Sequence, residues 1–110
     1  MPDTISYEDF AKVDIRVGTI LEVKPHPNAD KLLILKIDEG KEEPRQLVAG
    51  IKAYYSEEEL IGKQLVFLAN LEPRTLRGVT SHGMILAADD GEKVVVLTVD
   101  KPVGNDAKVK

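Results

Sequence analysis

The sequence predicts an all-β domain with short helices: a five- to six-stranded Greek-key β-barrel. Three observations carry that expectation. Several short runs alternate apolar and polar residues with a period of two, turns bearing glycine or proline separate the runs, and one capped helical segment stands between the third run and the fourth. At 110 residues the chain reads as a single domain, 1–110, because domains of ~100–200 residues are the rule.

The elements follow in order. Ser6-Tyr7-Glu8-Asp9 reads as a helix start, with the Ser6 hydroxyl accepting from a first-turn amide, so a short helix is expected over residues 7–11. The period then changes. Val13, Ile15, Val17, Leu21 and Val23 share one parity and alternate with Asp14, Arg16, Gly18, Glu22 and Lys24, which predicts a long first strand. Gly18 inside that strand predicts a bend or bulge. Pro25-His26-Pro27-Asn28 ends it, since proline supplies no donor to a ladder. Residues 31–38 (KLLILKID) and 45–51 (RQLVAGI) are the second and third strands, joined by a polar turn around Gly40. Ser56-Glu57-Glu58-Glu59 repeats the capping signature, and Gly62 closes a second short helix. Residues 64–71, 84–88 and 94–99 are the remaining strands, and the tail from Lys101 is an edge strand or an ordered arm. A helix between the third and fourth strands of a small Greek-key barrel is the arrangement of the OB-fold, where it plugs the barrel. A sandwich or an SH3-like barrel is the rival at this level.

Composition excludes several chemistries. There is no cysteine, so disulfides, thiolate metal sites and cysteine nucleophiles are all absent. His26 and His82 are the only histidines, without the spacing of a zinc site; no metal and no cofactor are expected. Ser81-His82 are strand neighbours facing opposite ways, which is no relay, and Gly-rich phosphate loops are missing. A non-enzymatic role follows. No run approaches the ~18 apolar residues of a membrane span, and the opening MPDTISYEDF is not a signal peptide, so a cytoplasmic protein without a membrane partner is expected.

The net charge is −4, yet the acids are clumped at 38–43, 57–59 and 89–92. Outside those clumps the balance is basic: Lys63, Arg74 and Arg77 stand against Glu72 alone over residues 62–84. The segment from Asn70 to Met84 (NLEPRTLRGVTSHGM) joins two apolar strands and carries two arginines, with Asn70, Thr80 and Ser81 nearby. Arginine forks suit phosphates, and Asn and Ser can reach phosphate or sugar hydroxyls. A connection this long is expected to have a purpose. An ordinary surface loop whose arginines pair with acids is the alternative. Only Phe67 among the five aromatics lies in an expected strand, so a stacking platform for single strands is hard to assemble. Recognition of a folded RNA by backbone and shape fits better.

The stretches DFAKVDIRVG (9–18), HPNADKL (26–32), AGI (49–51) and 70–84 closely resemble the tRNA-binding domain family, over about residues 6–110. That family includes the C-terminal domain of bacterial methionyl-tRNA synthetases, free-standing tRNA-binding proteins and the cytokine-like domain of synthetase accessory proteins. The resemblance implies the same barrel and structure-specific tRNA binding without preference for tRNA identity. It also implies a homodimer, with residues 100–110 as its arm, and a methionyl-tRNA synthetase catalytic chain as a further partner. Matched motif by motif, it implies RNA contacts at Lys31, Asn70, Arg74, Arg77, Ser81, Gly83 and Met84, with Arg74, Arg77 and Lys31 on phosphates. Thr75 stands where members often carry lysine, while Thr80 and His82 replace residues that are often acidic or amide. A branch of the family that acts as a secretion-associated peptide-binding chaperone is the alternative function.

Overall fold

The computed structural model describes residues 3–110. Two short helices, α1 (Tyr7–Ala11) and α2 (Glu57–Leu60), accompany strands β1 (Ile15–Pro25), β2 (Leu33–Asp38), β3 (Arg45–Ala49), β4 (Gln64–Leu68) and β5 (Arg74–Leu76). These are followed by β6 (Val79–Ser81), β7 (Met84–Ile85), β8 (Ala87–Asp89) and β9 (Val94–Val96). Both helices start as expected. Ser6 Oγ accepts from the Asp9 amide at 3.1 Å, and Ser56 with Glu59 forms a reciprocal capping box. The Ser56 amide, donating to Glu59, holds that carboxyl below the usual carboxylate range.

The main sheet runs β3-β2-β1-β4-β7, all neighbours antiparallel, and curls into the expected OB-type barrel. Its interior holds Ile20, Leu35, Ile37, Leu47, Leu65 and Phe67, and Leu60 of α2 plugs one end. Each such fully buried large side chain contributes ~1.5–3 kcal/mol of hydrophobic stabilisation.

The barrel closes where β3 meets the β6–β7 segment. Val48 N–H donates to Ser81 Oγ at 2.9 Å, His82 N–H to the Gln46 carbonyl at 2.9 Å, and Gln46 Nε2 to the Thr80 carbonyl at 2.8 Å. Beside this seam Arg45 donates to the buried Glu39 carboxylate at 3.0 Å, to the Ala69 carbonyl at 3.1 Å and to the His82 carbonyl. Its guanidinium also lies 5.4 Å from the Phe67 ring centroid.

β1 departs from its expected pattern. Leu21 shares the parity of Val17 and Val23, yet it is 49% exposed while Ile20 is 1% exposed. The cause is a bulge between Ile20 and Glu22, which leaves Leu21 without a partner in β2 and turns it outward. One inserted residue exchanges the faces of everything beyond it. Gly18 serves close packing: a Cβ there would lie 2.3 Å from Ile37 Cγ2. From Thr19 onward β1 pairs with β2; ahead of that, its free edge is covered by the C-terminal arm. Val17 and Ile15 exchange backbone hydrogen bonds with Asp106, Ala107 and Val109 of that arm. The strand expected over 84–88 is divided at Leu86 into β7 and β8.

Gly83 has φ +131°, and a Cβ there would sit 2.5 Å from the Leu68 carbonyl oxygen. Gly78 has φ +90° with no atom within 4 Å of the same position. Denaturant unfolding should therefore rank the two alanine variants. Gly83→Ala should lose ~2–4 kcal/mol, because strain and a backbone clash add, and Gly78→Ala only ~1 kcal/mol.

Candidate nucleic-acid interface

The segment 70–84 is a β-hairpin, where a loop was expected. Arg74 pairs with Ser81, Thr75 with Thr80 and Leu76 with Val79, and the two threonine hydroxyls meet at 3.0 Å. The turn is Arg77-Gly78, with φ of 53° and 90°. Two successive left-handed residues make the type I′ turn that matches strand twist. Arginine at its first position carries ~1 kcal/mol of backbone strain that asparagine or glycine would largely avoid, and in return it stands at the very tip.

The seven residues singled out in the sequence divide into two groups. Asn70, Ser81 and Gly83 build the hairpin's footing. Asn70 Oδ1 accepts from the Asp14 amide at 2.9 Å, and its Nδ2 donates to the Lys12 carbonyl at 2.6 Å. Ser81 is 4% exposed; its oxygen accepts from Val48 and its proton goes to the Gly83 carbonyl at 2.9 Å. That leaves Ser81 no proton for a sugar hydroxyl. Gly83 is buried against Leu68. Lys31, Arg74, Arg77 and Met84 are all exposed. Met84 shares a small hollow of about 90 Å³ with Arg74 and Leu76 beneath the hairpin.

Charge separates the chain's cations in the same way. Lys12, Arg16, Lys24, Lys41 and Arg45 each pair with a carboxylate. Among the described residues no carboxylate lies within ion-pair distance of Lys31, Arg74 or Arg77. The arginines of 70–84 are therefore not the paired surface arginines of the alternative reading.

Two further cations belong to this region and were not singled out in the sequence. The Lys52 amide donates to the Lys31 carbonyl at 3.4 Å, which brings a second lysine beside the first. Lys36 lines a groove of about 470 Å³ between the outer face of β1–β3 and the hairpin tip, together with Gln46, Gly78, Thr80 and Lys24, the last already paired with Glu22 of the same lining at 3.1 Å. Neither lysine carries a motif signal; only the strand register and the hairpin's fold-back bring them here. No residue lining the groove is aromatic, so it offers charge and hydrogen bonds to a backbone but no platform for bases.

The domain model described as "Putative tRNA binding domain" matches residues 15–108. This chain belongs to the tRNA-binding domain family. The methionine–tRNA ligase of Pyrococcus horikoshii is 61% identical over 106 residues, and that of Nanoarchaeum equitans 55% over 106 residues. Each match covers 96% of this chain and 14% of the relative, so the domain spans about one seventh of the curated relatives' length. Two solved structures share the whole barrel. A methionyl-tRNA-synthetase-related protein from P. horikoshii superimposes with TM-score 0.91 at 32% identity, covering 99% of this chain and 100% of that one. The chaperone CsaA from Bacillus anthracis superimposes with TM-score 0.91 at 29% identity, covering 98% and 100%. Backbone likeness alone therefore does not choose between these two names. Among the described residues no helix is long and apolar enough to cross a membrane.

Within this tRNA-binding domain the two groups of motif residues should respond to different assays. Ser81→Ala leaves the buried Val48 amide unsatisfied and should lower the unfolding free energy by ~1–3 kcal/mol. Arg77→Ala removes an exposed side chain and should change it by less than ~0.5 kcal/mol. Equilibrium denaturation of both variants checks the division.

Proposed function

We propose that the domain grips folded tRNA through its phosphate backbone and shape, without catalysing a step, as a part or a partner of a methionyl-tRNA synthetase. The observation that carries the reading is Arg74 and Arg77 displayed on a short, braced hairpin with no carboxylate of the described residues within ion-pair distance. An unpaired guanidinium keeps its full fork of donors for a phosphate. Lys31 and Lys52 beside the β1–β2 loop, and Lys36 in the groove, extend the cationic track. The 61% identity to a methionine–tRNA ligase supports the synthetase as the setting, and a cytoplasmic site follows from that setting.

Assembly is part of the same reading. The arm at 103–109 lies along β1, held by Gln64 Nε2 on the Val103 carbonyl at 2.7 Å and Thr19 Oγ1 on Asn105 Oδ1 at 2.9 Å. With the arm fixed, the ends of the chain become a shared outer surface: Tyr7, Phe10 and Val13 border Lys108 and Val109 there. That surface is where two copies would meet, and two hairpins on one tRNA would add effective concentration. Light scattering of the isolated domain should give twice the mass of the chain; the monomer mass would remove dimerisation from the account.

The likeness to CsaA favours one second reading, peptide binding. A binding assay over a salt series with folded tRNA, unfolded tRNA and an unstructured peptide separates the two. Folded tRNA should bind best. Arg74→Ala/Arg77→Ala should weaken different tRNAs about equally and shallow the log–log salt slope by up to ~2. Wild-type affinity in the double variant would contradict the site, and preferential peptide binding would favour the chaperone.

A further inference from the structure

His26 lies on the β1–β2 loop, buried among strand ends and only 4% exposed. Both of its ring nitrogens are engaged with backbone. Nε2 is 2.8 Å from the Leu76 carbonyl oxygen, and the Asn28 amide donates to Nδ1 at 2.9 Å. A carbonyl only accepts and an amide N–H only donates, so the proton sits on Nε2 and Nδ1 carries the lone pair. The ring is a neutral connector of fixed polarity.

What it connects is the point. Leu76 immediately precedes Arg77 at the hairpin tip, and Asn28 begins the short loop that presents Lys31. Among the described residues, the His26–Leu76 bond is the only hydrogen bond between residues 25–32 and the hairpin. The loop is itself closed by the His26 amide on the Leu32 carbonyl at 3.0 Å and the Leu32 amide on the Ala29 carbonyl at 3.2 Å. The hairpin's other end is anchored by Ser81 and Asn70, so without His26 its tip would be tied only from below.

We propose that His26 is a positioning residue that holds the hairpin tip and the β1–β2 loop in one fixed relation, so that Arg77 and Lys31 meet the tRNA backbone together. The inference rests on the functional reading above. His26 touches no RNA in this account and acts through Arg77 and Lys31. Two phosphate contacts help one another only if the distance between them is set before binding. The same ring explains why a hairpin of three-residue strands can stand in a defined place.

A double-mutant cycle tests this. His26→Phe keeps a ring and deletes both nitrogens. It should weaken binding of folded tRNA by about five- to tenfold, the scale of losing a buried hydrogen-bonded connector, and speed amide exchange at Asn28, Arg77 and Gly78. Added to Arg77→Ala it should cost less than about twofold more, because its effect passes through that arginine. Full multiplication of the two losses, or wild-type affinity in His26→Phe, overturns the proposal. Should Arg77→Ala alone bind like wild type, the functional reading fails instead, and the two failures are distinct. If His26→Phe does not fold, ring-nitrogen NMR of the wild-type protein decides: the Nε2–H tautomer is expected, and the Nδ1–H tautomer contradicts the connector.

Discussion

The seam between β3 and the β6–β7 segment is the constraint on which the rest depends. A five-stranded sheet in the order β3-β2-β1-β4-β7 has two ends, and each is an unpaired edge until they meet. They meet through very few groups: Ser81 Oγ on Val48, the Gln46 backbone and side chain on His82 and Thr80, and Arg45 across Ala69 and His82. Because the hairpin β5–β6 grows directly out of this seam, its base on the barrel is set by the same bonds. Closure of the core and presentation of Arg74 and Arg77 are one structural event.

This explains what the 70–84 motif encodes. Its residues do two jobs that the sequence interleaves. Asn70, Ser81 and Gly83 face inward or tie strands together, while Arg74, Arg77 and Met84 face solvent. A hydroxyl or an amide in a motif is equally suited to a backbone partner and to a sugar, so residue type alone could not assign the job. Burial decides it for Ser81 and Gly83, and for the exposed Asn70 its two hydrogen bonds to the Lys12–Asp14 backbone do; both are properties of the closed barrel. Most of the fold was legible: the period-two runs, both capped helices and the plug at Leu60 follow from local pattern. Two features were not. Gly18 announced a bend or bulge in β1 but not its place: at Leu21 it leaves every residue type compatible with a regular strand while exchanging the faces beyond it. The hairpin was hidden because its strands are three residues long and its turn begins with arginine, not the usual asparagine or aspartate. Lys36 and Lys52 were invisible for a different reason, since they reach the site only through register and fold-back.

An acidic chain that grips a polyanion is not a contradiction at these distances. At physiological salt, charges separated by more than ~8 Å are largely screened, so local pairing matters more than the net charge of −4. Some cations elsewhere are matched to acids, as in Arg16 with Asp14 at 2.6 Å, which raises the Arg16 pKa further. On the hairpin they are not. Thr75 and Thr80 face each other as a neutral pair, so the ladder between the arginines is held without any acid that would compete with phosphate.

Folded tRNA should contact the hairpin tip and the β1–β2 loop, while the seam beneath remains internal. Amide NMR of the domain titrated with folded tRNA tests it most directly. Shift changes and exchange protection should fall on residues 74–78, 28–31 and Lys52, with much smaller changes at Val48 and Leu65 in the barrel wall. Changes centred on β8–β9 or on α1, with residues 74–78 silent, would contradict it.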